Sequence, residues 1–302
     1  MLKSRTGFAK KVARLSSSQK EKVIAIEELR QKHRLSLLLQ HASMARSSFY
    51  YHIKTLKRVD KYQHIKIKIQ EVYHKHLGRY GYRRITLELK QLGFCINHKT
   101  VQSLMTELGL KSRIRVKKYK SYKGQQGRIA PNLLARDFKA DRMYQKWVTD
   151  ITEFKVAGKK LYLSPILDLY NREIISYQLS EAPNFKQVNS MLKKAFKKLP
   201  KQNSILLHSD QGWQYQMPMY QKILKQKKIK QSMSRKGNCL DNAVVENFFG
   251  ILKSELYYLK KYETVKELKK DIKEYIQYYN QERISLTLNG MSPIQYRAHF
   301  QN

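Results

Sequence analysis

The stretch KWVTDITEFKVAGKKLYLSPILDLYNREIISYQLS, residues 146–180, holds three apolar runs, broken at Gly158-Lys159-Lys160 and again at Asn171-Arg172. Short runs rich in Val, Ile, Leu, Tyr and Phe between turn residues read as strands, and three in succession predict an antiparallel meander. With a first strand through Val148 to Phe154, alternation puts Asp150 on the face opposite Thr149 and Ile151. A carboxylate inside a sheet is costly unless its charge is compensated, so this position calls for a cation.

The chain beyond the meander alternates. A helix over NFKQVNSMLKKAFKKL (184–199) leads to a strand, SILLHSD (204–210), and a helix over MPMYQKILKQKK (217–228) leads to a short strand, IKQSMS (229–234). A long helix then runs from about Leu240 to Tyr258, and TVKELKKDIKEYIQYYNQER (264–283) predicts a closing helix. Antiparallel strands followed by strands reached through helices predict an α/β, ribonuclease H-like core, a mixed sheet flanked by helices, over 142–302.

Ahead of this core the pattern is all helical. Residues 1–22 are basic and Ser-rich and read as a flexible lead-in. Over 23–56, VIAIEELRQKH predicts an amphipathic helix, and LSLLLQHASMARSSFYYHIK predicts two short helices around a turn near Ser43. The second of these starts at Arg46-Ser47-Ser48, which suits a helix-turn-helix that presents Arg46 to DNA. A second such module spans 62–112, with Gly78 and Gly81 at its first joint, Gly93 ending a helix and Asn97 placed to cap the next. There Val101, Leu104, Met105 and Leu108 form the buried stripe, while His98, Lys99 and Gln102 face outward. Residues 113–141, basic and interleaved with Tyr, read as a linker suited to lie along phosphates.

Lys and Arg number 61 against 23 Asp and Glu, a net charge of +38, so a polyanionic partner is expected and nucleic acid is the first candidate. No run approaches the roughly 18 apolar residues of a spanning helix. The basic start MLKSRTGFAKKVARL also lacks the apolar stretch of a signal peptide, so the expected location is cytoplasmic. Cys95 and Cys239 are too few for a disulfide framework or a four-ligand zinc site, and read as free thiols.

Three acids stand out against that charge. Asp210 ends a strand in HSDQGWQY (208–215), where ligand sites of α/β sheets lie, and Gly212 is expected to let the turn bring a phosphate close. Glu246 lies 36 positions on, in the long helix, and shares a face with Phe249, Gly250 and Lys253. Two aspartates and a glutamate brought together would suit hard divalent cations such as Mg²⁺, and a pair of ions suits phosphodiester chemistry. The rivals are Glu153, Asp168, Asp241 and Glu255. Asp241 and Asn242 read as caps of the long helix, Glu255 falls on another face, and Asp168, inside PILDLY, is the serious rival. His208 and Trp213 read as a strand-end histidine and a packed tryptophan.

WVTDITEF, LHSDQGWQY and SRKGNCLDNAVVENFFGILKSE together resemble the catalytic core of the DDE transposases and integrases. The resemblance is closest to the second-frame protein of bacterial insertion sequences, and it runs from about Val23 to Tyr296. HLGRYGYRRI (76–85) resembles that family's helix-turn-helix, and YNQERISLTLNGMSPIQYR (279–297) its closing signature. The resemblance implies that Asp150, Asp210 and Glu246 are catalytic and hold Mg²⁺ or Mn²⁺. It also implies cleavage at the element's end followed by attack of the freed 3′-hydroxyl on another phosphodiester. Lys253 would contact DNA near the scissile phosphate, with Asn242, Asn247 and Tyr215 as candidate neighbours. Arg46, Arg79, Arg83, Arg84, His98 and Lys99 are candidate contacts on the helical modules. Expected partners are element and target DNA, the first-frame protein as a frameshift fusion that would account for residues before Val23, and further copies of the chain on DNA. Two other readings fit the residues: a DNA-binding regulator without catalysis, and a nuclease of the same fold that hydrolyses without joining.

Overall fold

The computed structural model describes residues 19–56, 60–113, 129–200, 204–235 and 239–300. The expected lead-in up to residue 18 and the middle of the linker, 114–128, lie outside them. The chain divides into two compact units between Ile65 and Lys66.

The first unit holds α1 (Gln19–Leu29), α2 (Leu35–His41) and α3 (Arg46–Leu56). Val23 and Ile26 of α1, Leu38 and Leu39 of α2, and Phe49 of α3 bury against one another with Ala42 and Met44. The chain reverses at Ser43, whose φ of 51° is left-handed, and α3 starts at Arg46, with the Arg46 side chain exposed. The first helix begins at Gln19, ahead of the expected Val23.

The division falls within α4 (Gln63–Lys75), and the second unit continues from there with α5 (Tyr82–Gln91) and α6 (His98–Glu107). Asn97 caps α6 by accepting the Lys99 N–H at 2.9 Å, and Val101, Leu104 and Met105 are buried beneath it. The sequence suggests a freestanding module here, yet residues 66–113 belong to the same compact unit as the sheet. Tyr80 is fully buried, and its hydroxyl accepts the Ile284 N–H at 3.0 Å. The His76 ring stacks on Tyr80 at 3.8 Å, with Nδ1 3.0 Å from the Tyr278 hydroxyl. Gln91 Nε2 donates to the Gly290 carbonyl at 2.9 Å. Aromatic residues carry this docking surface, which a reading by helical period alone does not register.

The sheet has six strands: β1 (Lys146–Thr149), β2 (Thr152–Val156), β3 (Lys159–Asp168), β4 (Ile174–Ser180), β5 (Leu206–Ser209) and β6 (Lys230–Met233). The long β3 pairs antiparallel with β2, β1 and β4, while β5 runs parallel to both β1 and β6. The expected first strand is therefore two collinear pieces, interrupted at Asp150 and Ile151. Asp150 Oδ1 accepts the N–H of Ile151 at 2.7 Å, which takes that donor from the ladder.

Helices α7 (Phe185–Phe196) and α8 (Pro218–Gln226) make the crossovers to β5 and β6, followed by α9 (Ala243–Glu255), α10 (Val265–Gln281) and α11 (Pro293–Phe300). One face of the sheet packs on α7 and α8 through Trp147, Ile166, Val188, Met191, Leu192, Leu207 and Leu224. The other packs on α9 and α10 through Val148, Phe154, Leu163, Val245, Phe248, Leu252, Leu268 and Ile272. Burying each such side chain contributes about 1.5–3 kcal/mol. Both the sheet and its two helical layers follow the expected mixed arrangement. The described end of the basic segment, from residue 129, packs on the core instead of extending free. Met233 donates to the Pro131 carbonyl at 3.3 Å, and the Ser232 hydroxyl accepts the N–H groups of Leu133 and Leu134, covering the β6 edge.

Candidate active site

Val148 pairs with His208 across the parallel strands β1 and β5, and two residues further along each chain stand Asp150 and Asp210. Both aspartates thus leave the sheet at the carboxyl ends of adjacent central strands. Val148 faces the α9 and α10 layer, and the same parity carries Asp150 toward α9. Glu246 sits in the first turn of that helix, where the amino-terminal dipole favours a negative charge. Asn242, just ahead of α9, donates from Nδ2 to the Thr149 carbonyl at 3.2 Å, so the helix start is tied to the residue preceding Asp150.

Burial pushes the Asp150 carboxyl well above the usual aspartate range, and the charges of Asp210 and Glu246 push it further, against the Ile151 N–H and the more distant charge of Lys253. Burial also raises Asp210, opposed by the Gly212 N–H, which donates to Asp210 Oδ1 at 2.9 Å. In a chain with 61 Lys and Arg, neither aspartate forms an ion pair among the described residues. Two buried aspartates that repel each other, with Glu246 adding to the negative charge, suit a divalent cation. Among the described residues no three His, Cys, Asp or Glu side chains are closed around a common point as a metal would hold them. Asp150 and Asp210 each turn one oxygen onto a nearby backbone N–H. Gly212 has an ordinary φ of −57°. Its need for glycine comes from close approach, since an added Cβ would lie 2.5 Å from Gln214 Nε2 and 3.0 Å from Asp210 Oδ1.

The rival acids are otherwise engaged. Asp168 is fully buried and accepts from the N–H groups of Tyr144 and Tyr170 and from the Trp147 indole at 2.8–2.9 Å; burial pushes its carboxyl up to about 6 despite those donors. Glu153 lies 3.0 Å from both Lys160 Nζ and the Tyr162 hydroxyl. Asp241 is held by Arg136, Arg235 and Asn132, and Glu255 by Arg283, Arg84 and Tyr275.

Two expected DNA contacts are buried, and two more are half-buried and engaged within the protein. Tyr215 is fully buried and Asn242 is 2% exposed, so neither offers DNA a surface. Arg79 donates to the Glu255 carbonyl and lies over the Tyr278 ring at 4.7 Å, and Arg84 pairs with Glu255 at 3.3 Å. Both arginines face the core because the helical module docks there. Arg83, His98, Lys99 and Asn247 are exposed, and Lys253 lies half-buried over the Phe154 ring at 5.2 Å. Trp213 is 52% exposed beside the acid site, where a packed indole was expected, because Tyr215 two positions on takes the buried place. His208 is buried as expected, with Nδ1 2.8 Å from the Ser232 hydroxyl. Arg136 and Arg235, which hold Asp241 in place ahead of α9, carry no sequence signal that separates them from the other basic residues.

The family described as integrase core domain matches residues 140–239 and again 246–300, and an HTH-like domain matches 61–118. The chain is 59% identical over 272 residues to the putative transposase InsK for insertion sequence element IS150 of Escherichia coli, covering 90% of this chain and 96% of that one. An uncharacterized transposase-like protein of Haemophilus influenzae is 57% identical over 68% of this chain and 95% of its own length. The transposase for insertion sequence element IS904 of Lactococcus lactis is 37% identical over 75% of this chain and 90% of its own. Two carboxylates at the ends of parallel strands, a third at the start of a helix tied to them, and relatives covered almost end to end agree: the chain belongs to the integrase-core transposases of bacterial insertion sequences, enzymes of the polynucleotidyl transferase type.

Proposed function

We propose that this transposase cleaves DNA at the ends of its insertion sequence and joins the freed 3′-hydroxyl to a target phosphodiester, with Asp150, Asp210 and Glu246 holding a pair of Mg²⁺ or Mn²⁺ ions. The observation that carries the reading is the pair of strand-end aspartates, close enough to repel and without an ion pair in a chain of net charge +38. The ions, when bound, supply Lewis acidity to the phosphodiester and raise the acidity of the attacking hydroxyl. Asp150 and Asp210 anchor the site to the rigid sheet, and Glu246 closes it from the amino terminus of α9. Lys253, seven residues on, is placed to hold a phosphate, and Asn247 contacts DNA beside it. Arg83, His98 and Lys99 on the docked helical module, and Arg46 on the first unit, bind the duplex. The working form includes the first-frame protein as a frameshift fusion and more than one copy of the chain on DNA.

A strand-transfer assay on a labelled element end with Mg²⁺ tests this. The intact protein should give joined product, and Asp210→Asn should bind the same DNA within about threefold while losing joining by at least about a thousandfold, a loss in the range of removing one essential catalytic group. Hydrolysis without joining by the intact protein would replace the reading with that of a nuclease. Binding without either would replace it with that of a regulator.

A further inference from the structure

The lysines of the core are distributed unevenly. From Ala182 to Ser234 the described residues include ten lysines, all exposed, against one acid, Asp210. Seven of the ten gather in two groups: Lys193, Lys194, Lys197 and Lys198 close α7 or follow it, and Lys225, Lys227 and Lys228 do the same for α8. Both helices cross between parallel strands, so they run against β5 and β6 and end where those strands begin. Lys227 Nζ, 6.0 Å from the Phe196 ring centre, ties the two helix ends together, and Lys230 opens β6 beside them. Asp150 and Asp210 stand past the other ends of β1 and β5, about 13 Å away along strands of four residues.

These charges are not answered within the protein. None of the ten lysines has an ion pair among the described residues; Lys194 donates to the Tyr177 carbonyl and to Gln178 Oε1, and Lys198 to the Ile175 carbonyl, all neutral acceptors. At the same end of the sheet Asp168 and Glu173 are buried and Lys146 holds Asp137 at 2.6 Å, while Asp141 stays exposed between Lys139 and Arg142 in the chain. On α10, by contrast, Lys269 and Lys270 meet Glu181 and Glu274 at 2.6 and 3.8 Å. The dipole at a helix carboxyl end suits the nearest of the clustered lysines, but seven like charges in one place repel, and a polyanion relieves that. A membrane surface would call for apolar side chains among the lysines. The exposed large apolar residues of this stretch, Trp213 and Met219, stand instead ahead of α8 and in its first turn, at the opposite end. We propose that the pole formed by the ends of α7 and α8 is a second duplex-DNA surface, holding by its phosphates a segment other than the one at Asp150 and Asp210. The choice of duplex DNA among polyanions rests on the reading of the chain as a DNA-joining enzyme.

The test uses the full chain without divalent metal, a linear duplex of unrelated sequence, and acetylation of lysines followed residue by residue by mass spectrometry. With the duplex bound, Lys193, Lys197, Lys225 and Lys228 should react more slowly by at least about threefold, while Lys266 and Lys273 on α10 keep their rates. Changing Lys193→Gln, Lys197→Gln, Lys225→Gln and Lys228→Gln together should lower the slope of log affinity against log salt by about three, at roughly 0.9 for each phosphate, without lowering the melting temperature. Lys266→Gln with Lys273→Gln should leave the slope as it is. An unchanged slope in the quadruple variant, or equal protection of the α10 lysines, overturns the proposal. Protection by phosphatidylserine vesicles but not by the duplex would assign the pole to a membrane, and protection that grows with protein concentration in the absence of DNA would assign it to a second copy; either result also overturns it. A wild type that joins DNA in Mg²⁺ while its pole stays unprotected would overturn the pole alone. A protected pole in a wild type that joins nothing would support the pole and remove the joining reading.

Discussion

Asp241 and Asp150 lie in the same half of the molecule and are treated in opposite ways. Around Asp241 the chain gathers donors: Arg235 gives it a backbone N–H and two guanidinium bonds, Arg136 another at 2.8 Å, and Asn132 an amide at 3.0 Å. These hold its carboxyl far below the usual aspartate range, with the Arg235 bonds as the largest cause. Asp150 is given only the N–H of its neighbour, and its proton affinity moves the other way. One acid is neutralised by the fold and the other is left short of positive charge, the difference expected between a structural and a ligand-binding carboxylate. A stability prediction follows for the structural one. Asp241→Asn should cost about 1–3 kcal/mol at pH 7, at the low end because both guanidiniums stay partly in water. Since the folded-state pKa lies below the unfolded value of about 4, the contribution is present above that value and is lost as pH falls through the folded one. Urea melts of the two proteins should therefore differ at neutral pH and converge in strong acid. A gap that stays constant down to the acid limit would show that Asp241 is not the charged anchor described.

The elements were legible to different degrees, for reasons that can be named. Asn97 could be read as a cap and Val101, Leu104 and Met105 as a buried stripe because capping and helical period are local. The break in the first strand was not legible, since WVTDITEF alternates well enough to continue, whereas in the fold the Ile151 N–H donates to Asp150 Oδ1. Asp150, Asp210 and Glu246 could be read as a candidate set because each stands at a strand or helix end. Arg79 and Arg84 also carry contacts to the Glu255 end of α9, which spacing along the helical module does not show. The docking they serve converges on Glu255, the last residue of α9, which is 7% exposed. Burial pushes its carboxyl up, but two bonds from Arg283 at 2.7 and 2.8 Å bring it below the usual range, with help from Arg84 and the Tyr275 hydroxyl. The end of the helix that carries Glu246 is thereby joined to both the helical module and the segment after α10. Removing one partner of a buried pair leaves a stranded charge, so Arg283→Met should destabilise by about 3–5 kcal/mol, whereas the double change with Glu255→Gln should recover much of that. Chemical denaturation of the two single variants and the double variant measures the coupling, and simple additivity would remove Glu255 as the point of attachment.

At the scale of the whole molecule, the charge of +38 conceals two populations of basic side chains. Some complete the fold, as Arg283, Arg84, Arg235 and Arg136 do against Glu255 and Asp241. Others project into solvent, among them Arg83, with its guanidinium 5.2 Å from the Tyr82 ring centre, and Lys99 at the start of α6. Only the second population can displace counterions from DNA, so net charge overstates the number of phosphates the protein can neutralise. The neighbours Arg83 and Arg84 separate the two. On duplex DNA each phosphate neutralised adds roughly 0.9 to the slope of log affinity against log salt. Arg83→Ala should therefore lower that slope by about one and weaken binding across sequences, with the melting temperature unchanged. Arg84→Ala should leave the slope intact and lower the melting temperature, because its guanidinium meets Glu255 and the Tyr80 ring. Salt titrations of binding to one duplex, run beside thermal melts, assign each arginine to its population. If Arg84→Ala flattened the slope as much as Arg83→Ala, the docked face of α5 would have to open on DNA, and the helical module could not be the fixed part of the core that its buried contacts make it.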